Sequence, residues 1–83
     1  MKYTEKEVRK MIYNFLKEEG NDWEDLASSC QYSIIEDYVS DSPAWCGDII
    51  TIVFGYAEAI SNYKIVNNKI EKIIPVEYAK YND

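Results

Sequence analysis

The side chains best suited to chemistry in this sequence are its carboxylates. The 83 residues include fifteen Asp and Glu, nine Lys and Arg, and no His. His is the most common general base and a leading metal ligand, so its absence removes the usual routes to catalysis and metal binding. Paired carboxylates need a pocket that separates their pKa values, and a domain of this size has little room for one. We therefore expect no catalytic residue, no metal site and no cofactor.

The two cysteines are the other reactive candidates. Cys30 and Cys46 are sixteen positions apart and form no Cys-x-x-Cys pair. Neither has a neighbouring Lys, Arg or His in the sequence that would lower the pKa of its thiol, so neither is expected to be a nucleophile. We expect Cys30 to be a small buried hydrophobic residue and Cys46, beside Gly47, to be the more exposed thiol.

The acidic residues are concentrated in the middle of the chain. Residues 21–58 contain eight acids and no base, and the net charge of the whole chain is −6. Such a chain repels nucleic acids and anionic membranes. An acidic surface instead steers and orients encounters with basic proteins. The candidate partner-binding residues are Asp22, Glu24, Asp25, Glu36, Asp37, Asp41 and Asp48.

The elements that position these residues begin with an amphipathic helix. Thr4 and Glu7 have the spacing of a capping box, and Gly20 is a typical residue after a helix end. Between them, apolar residues recur at helical spacing, which predicts a helix over residues 5–19. Glu18 and Glu19 then stand at the helix C-terminus, where the helix dipole disfavours carboxylates, and this makes them weak functional candidates.

A second helix is predicted over residues 22–39. It begins with acidic residues, and its apolar residues recur at about 100° per residue, from Trp23 to Tyr38. On this helix Asp25 and Glu36, eleven positions apart, would project from the same side. A further apolar strip would either pack inside the domain or contact a partner. The strip consists of Tyr32, Ile35 and Val39.

Strands are predicted for the second half of the chain. Residues 48–54 are β-branched and apolar on both faces, which is typical of a central strand. Residues 58–66 and 69–74 predict two more strands, joined by a tight hairpin turn at Asn67 and Asn68. A short C-terminal helix after Pro75 is one option for the remaining residues. The sequence thus predicts one α+β domain over residues 1–83, with two N-terminal amphipathic helices packed on a three-stranded antiparallel meander.

These observations favour a small cytoplasmic, non-enzymatic binding module that acts by protein–protein contact. Its partner would be a basic protein such as a nucleic-acid-processing enzyme, whose nucleic-acid-binding surface the acidic side chains would occupy. Phage or bacterial inhibitors of the anti-CRISPR and immunity-protein kinds act in this way, and the analogy is one of size and charge alone. The alternative is a structural or oligomerising domain, such as a homodimer, whose acids only provide solubility. A small carboxylate-based enzyme is the third hypothesis.

Overall fold

The fold places one long helix on one face of an antiparallel sheet. The computed structural model describes residues 2–55 and 59–73. Its elements are α1 (Glu5–Glu18), α2 (Glu24–Ser29), β1 (Gln31–Tyr38), a 3-10 turn (Pro43–Trp45), β2 (Gly47–Phe54), β3 (Ala59–Val66) and β4 (Lys69–Lys72). The four strands are ordered β1-β2-β3-β4, and every neighbouring pair is antiparallel. The α+β class predicted from the sequence is therefore confirmed.

Helix α1 follows its sequence signals closely. The Thr4 hydroxyl accepts from the Glu7 backbone N–H at 3.1 Å, and the Glu7 carboxylate accepts from the Thr4 N–H at 3.0 Å, which completes the capping box. At the other end, Gly20 has φ 90°, and the N–H groups of Gly20 and Asn21 donate to the carbonyls of Lys17 and Leu16. This is a Schellman motif, which satisfies carbonyls that the helix itself leaves unpaired.

The core lies between α1 and the sheet. Strand β2 is central, and its Ile50 and Ile52 side chains are fully buried. The rings of Phe15 on α1 and Tyr63 on β3 lie with centroids 4.8 Å apart. The predicted hairpin turn is also confirmed, because Asn67 and Asn68 both have positive φ. The α1 side chains buried in this core are Val8, Met11, Ile12, Phe15 and Leu16.

The prediction of one helix over residues 22–39 is wrong. Helix α2 has only six residues, and the chain then forms β1, which pairs with β2 from Gln31 opposite Val53 to Tyr38 opposite Gly47. Strand β2 is apolar on both faces and is most stable with a hydrogen-bonded neighbour on each side. The β-branched and aromatic residues of 31–38 suit that neighbouring strand. The sheet consequently has four strands where the sequence predicted three.

The remaining boundaries agree with the sequence to within two residues. Strands β2 and β3 match the predicted strands 48–54 and 58–66, and β4 ends at Lys72, two residues before the predicted end. The optional C-terminal helix after Pro75 lies outside the described residues. Within residues 2–55 and 59–73, no helix has the length and apolar character needed to cross a membrane.

Candidate functional site

Six of the eight acids of residues 21–58 form two groups near opposite ends of β1. One group, here called the acidic corner, surrounds the start of α2 and comprises Asp22, Trp23, Glu24 and Asp25. The other, here called the N-terminal anchor, lies near the far end of β1 and comprises Lys2, Tyr3, Glu36, Asp37 and Asp48. The two ends of an eight-residue strand are roughly 20 Å apart. Asp25 and Glu36 therefore do not share the helix face that the sequence predicted.

The N-terminal anchor is organised around the Asp48 carboxylate. The Asp48 side chain is only 10% exposed. It accepts hydrogen bonds from the Tyr3 hydroxyl, from the Asp37 backbone N–H at 2.9 Å and from the Lys2 ammonium at 3.3 Å. The same ammonium forms an ion pair with Asp37 at 3.1 Å. Asp48 therefore fastens the start of the chain to β1 and β2.

A β-bulge at the end of β1 brings these groups together. The strand register shifts between Ile35 and Tyr38, and Asp37 has φ 52°. A short polar residue such as Asp tolerates this left-handed conformation better than most others. The bulge lets the Asp37 N–H reach Asp48, while the Glu36 carboxylate accepts from the backbone N–H of Lys2 at 3.1 Å. All three anchor acids are thus engaged within the fold.

The protonation equilibria of the anchor agree with this arrangement. The Tyr3 hydroxyl, the Asp37 N–H and the Lys2 ammonium all stabilise the ionised carboxylate, so the pKa of Asp48 is lowered. Burial, together with the hydrogen bond to Asp48, raises the pKa of Tyr3 to about 12. The hydrogen bonds from Lys2 to Asp37 and Asp48 raise the pKa of its ammonium. At neutral pH the anchor therefore holds an ionised carboxylate, a neutral phenol and an ammonium.

The acidic corner has a different environment. Its three carboxylates are exposed, and the Trp23 side chain between them is 43% exposed. Among the described residues, none of the three lies within ion-pair distance of a Lys or Arg. Asp22 accepts a hydrogen bond from the Tyr13 hydroxyl, and this bond raises the pKa of Tyr13. The corner thus presents negative charge beside an indole.

Arg9 positions the acidic corner, a role that no motif or spacing in the sequence indicates. Its guanidinium donates from Nη1 to the carbonyls of Ala27, at 3.3 Å, and Cys30, where α2 ends. It also lies 5.0 Å from the centroid of the Tyr32 ring. Arg9 also forms an i,i+4 ion pair with Glu5 at 4.0 Å on the solvated side of α1. The hydrogen bonds to Ala27 and Cys30 are the contacts by which Arg9 joins α1 to α2.

The acids at the end of α1 are structural. Glu18 pairs with Lys69 at 3.1 Å, and Glu19 pairs with Lys72 at 3.0 Å. Both lysines belong to β4, so the two pairs connect the end of the helix to the edge of the sheet. The ion pairs with β4 offset the unfavourable interaction of these two carboxylates with the dipole of α1. Glu18 and Glu19 therefore do not belong to the acidic corner.

The predicted apolar strip does not exist as one surface. Side chains alternate between the two faces of a strand, so Tyr32 and Ile35 point to opposite sides of the sheet. Tyr32 packs against the core next to Arg9, whereas Ile35 is 55% exposed on the face without α1. Val39 follows β1 and is 85% exposed. The helical strip was wrong because the segment is a strand.

Asp41 and the two cysteines are the remaining candidate residues from the sequence analysis. Asp41 is exposed in the turn before Pro43. Cys30 is buried as predicted, and burial raises the pKa of its thiol despite the nearby Arg9 guanidinium. Cys46 is half-buried, and its thiol donates to the Ser40 carbonyl at 3.3 Å. Cys30 is therefore part of the core, and the hydrogen bond of Cys46 helps to order the 40–46 turn.

In the part of the chain that the structure describes, no three His, Cys, Asp or Glu side chains are grouped so that they could hold a metal ion. The comparisons with known proteins yield no match to a family model, a curated protein or a solved structure.

Proposed function

We propose that this chain is a non-enzymatic binding module that contacts a basic protein through the acidic corner. The observation that carries the proposal is the combination of three exposed carboxylates with a partly exposed tryptophan. Tryptophan is among the residues most enriched in binding hot spots, because its ring buries a large area at low conformational cost. Charges around such an anchor orient the partner and increase the association rate.

The chemistry of the corner favours a partner rich in Lys and Arg. Since no described cation forms an ion pair with Asp22, Glu24 or Asp25, their charge is available to an approaching guanidinium or ammonium. The exposed part of the Trp23 ring adds apolar contact area beside these charges. The surfaces that proteins use to bind nucleic acids carry these groups at high density. An inhibitor that occupies such a surface, of phage or bacterial origin, is the specific form of the proposal.

The acids of the N-terminal anchor are weaker candidates for partner binding than those of the acidic corner. Asp48 and Asp37 are engaged by Lys2, and Glu36 binds a backbone N–H, so these acids offer less charge to a partner than the corner does. The seven acids predicted from the sequence are therefore unequal candidates. We assign the principal contact to the corner alone.

The experiment is capture of partners from a bacterial lysate by tagged protein, with a charge-reversal variant and a matched control. Glu24→Lys combined with Asp25→Lys reverses two corner charges. Asp41→Lys combined with Glu71→Lys makes the same change in net charge at two exposed positions outside the corner. We expect the corner variant to lose the captured protein and the control to retain it. We also expect wild-type capture to weaken as salt is raised, because screening shortens the reach of exposed charges.

Equal loss in both variants would show that net charge, and not the corner, is responsible. Equal capture by the corner variant and the wild type would reject the proposal. The acidic segment would then only provide solubility, and the alternative of a structural domain would be favoured.

A further inference from the structure

Strand β1 forms one edge of the sheet, and its outer side is unpaired along most of its length. It pairs with β2 on one side, and no other described backbone group forms a hydrogen bond with the backbone of residues 31–36. Alternate residues of an edge strand direct their N–H and C=O groups away from the sheet, where a further strand can pair with them. Residues 56–58 and 74–83, outside the described part, are joined in the chain to β2, β3 and β4 and not to β1. The outer side of residues 31–36 is here called the open edge.

Two contacts within the fold limit the open edge at its ends. Before it, the Cys30 carbonyl accepts a hydrogen bond from the Arg9 guanidinium. After it, the β-bulge directs the Asp37 N–H to the Asp48 carboxylate at 2.9 Å. The residues between these limits span about 17 Å at the normal rise of a strand. A short extended segment is therefore long enough to pair with the whole open edge.

The two edges of the sheet differ in the features that normally prevent the addition of a strand. Strand β4 at the other edge has only four residues, and these include Lys69 and Lys72. Short strands and lysines are common means by which proteins keep an edge from pairing with another chain. Strand β1 has eight residues and contains neither lysine nor proline, and its Ile35 side chain is 55% exposed. The β1 edge therefore lacks the protection that β4 has, except for the bulge near its end.

The charge near the open edge indicates which kind of segment suits it. Helix α2 has six residues and one residue separates it from β1, so the acidic corner lies within roughly 10 Å of the start of the edge. Glu24 and Asp25 are exposed there, and no described cation pairs with them. Strand β1 itself contributes Glu36 and Asp37 and no cation. An extended segment with Lys or Arg at the corner and uncharged residues beside Ile35 complements this arrangement.

We propose that the open edge binds an extended segment of the basic partner, which adds a strand beside β1 while its Lys or Arg side chains contact the acidic corner. This inference rests on the proposed function, because it takes the corner as the surface that the partner contacts. In this mode of recognition the main-chain hydrogen bonds supply affinity, and the side chains supply specificity. The corner thus selects a basic segment, and β1 holds it in an extended conformation.

Titration of the isotope-labelled protein with a synthetic peptide, followed by NMR, tests the added strand. The peptide has a pair of arginines followed by alternating valine and threonine over about six residues, which matches the length of the open edge, and both of its termini are blocked. We expect the amide signals of residues 31–36 to shift most, together with those of α2. The absence of shifts in residues 31–36 at the highest peptide concentration would overturn the proposal.

N-methylated forms of this peptide separate backbone pairing from charge attraction. One form is methylated at the valines and the other at the threonines, so each lacks the N–H donors on one side of the extended peptide. Only one side of an added strand faces β1. One form is therefore expected to bind about tenfold more weakly than the parent peptide, and the other to retain most of its affinity. Equal affinities of the two forms would overturn the proposal.

A matched pair of protein variants tests where the peptide binds. Ser33→Lys places an ammonium on the open edge, which is a natural means of protecting an edge strand, and is expected to weaken peptide binding by about tenfold. Asn14→Lys makes the same change in charge at an exposed position of α1 and is expected to have a much smaller effect. Circular dichroism confirms that each variant is folded. An unchanged affinity in Ser33→Lys would reject the open edge as the binding site.

Failure of this inference and failure of the proposed function have different signatures. If Glu24→Lys/Asp25→Lys loses the captured partner while the two methylated peptides bind equally, the corner is retained and the added strand is rejected. If that variant keeps its partner while Ser33→Lys and one methylated peptide lose binding, the added strand is retained and the corner is rejected.

Two further measurements identify a different occupant of the open edge. If deletion of residues 76–83 increases peptide affinity by about tenfold or more, the edge is occupied by this chain's own end. If sedimentation velocity shows a dimer that the peptide dissociates, the edge is occupied by a second copy. Either result would overturn the assignment of the edge to a partner.

Discussion

The acidic corner and the N-terminal anchor contain the same kind of side chain in opposite surroundings. In the anchor, Asp48 is nearly buried and accepts hydrogen bonds from Tyr3, Asp37 and Lys2. In the corner, Glu24 and Asp25 are exposed and no described cation pairs with them. The density of acids along a sequence therefore does not identify a binding surface. What distinguishes the two regions is whether the fold supplies donors and cations to the carboxylates.

The two regions should differ in their energetic contributions. A hydrogen bond to a charged group contributes about 1.5–3 kcal/mol to stability, and a buried donor left without a partner costs a comparable amount. Exposed charges in solvent contribute about 0–1 kcal/mol. We therefore expect the anchor to support the fold and the corner to be nearly neutral to it.

The largest expected effect comes from removing the anchor carboxylate. Asp48→Ala leaves the Tyr3 hydroxyl and the Asp37 N–H without their acceptor, so we expect a loss of about 2–3 kcal/mol in the free energy of unfolding. Urea denaturation measures this loss. Asp41→Ala, which removes an exposed acid nearby in the sequence, is the control and should change stability by less than about 0.5 kcal/mol. A similar loss in both variants would show that the hydrogen-bonded carboxylate of Asp48 stabilises the fold no more than an exposed one.

A somewhat smaller loss is expected from Arg9→Met, which keeps much of the aliphatic side chain but removes the guanidinium. The carbonyls of Ala27 and Cys30 then lose their donor, and we expect a loss of about 1–2 kcal/mol. Hydrogen exchange should increase in α2, which Arg9 connects to α1. Lys10→Met, at the exposed neighbouring position, should leave both measurements unchanged. Normal protection of α2 in Arg9→Met would show that another contact positions the corner.

The pH dependence of stability provides the third prediction. The pKa of Tyr3 is raised from 10.0 to about 12, so the neutral phenol is favoured in the folded state. Its contribution is fully present below pH 10 and is lost as the pH rises towards 12. Asp48 has the opposite sign, since its pKa is lowered, and its contribution is lost as the pH falls through the lowered value.

Thermal unfolding across the pH range separates these two contributions. Tyr3→Phe should remove the part of the alkaline loss due to Tyr3, and Asp48→Ala should reduce the acid loss. An unchanged alkaline profile in Tyr3→Phe would mean that this hydroxyl is not held as described.

The smallest effect is expected within the corner. The hydrogen bond to Asp22 raises the pKa of Tyr13. Asp22→Asn removes the negative charge, so the pKa of Tyr13 should fall towards its ordinary value while stability stays nearly constant. Ultraviolet absorbance of the tyrosinate follows this titration, and Glu71→Gln is the control. A Tyr13 titration that Asp22→Asn leaves unaltered would show that the two groups do not interact in solution.

The sequence predictions were accurate where they depended on residues that lie close together in the chain. The capping box, the Gly20 terminus and the Asn67-Asn68 turn depend on residues close in sequence, and all three are present. Residues 31–38 contain apolar side chains that satisfy both a helical and a strand pattern. Their conformation is determined by pairing with β2, a contact between segments that the sequence pattern does not specify. The fourth strand could have been inferred from the need of β2 for two neighbours.

The environment of each acid was not predictable for the same reason. Lys2 and Asp48 are 46 positions apart and meet only because β1, β2 and the start of the chain converge at the bulge. Lys69 and Lys72 likewise reach Glu18 and Glu19 only through the sheet. The sequence identified which acids were candidates. The fold determined which of them have partners.

The free energy of unfolding of the Glu24→Lys/Asp25→Lys variant tests the central claim most directly, and it requires no knowledge of the partner. If the corner carboxylates do not support the fold, urea denaturation will give a value within about 1 kcal/mol of the wild type, because the lower net negative charge of the chain offsets the loss of two carboxylates that the α2 dipole favours. A loss of more than about 1 kcal/mol would contradict the account, since it would show that these carboxylates also stabilise the fold.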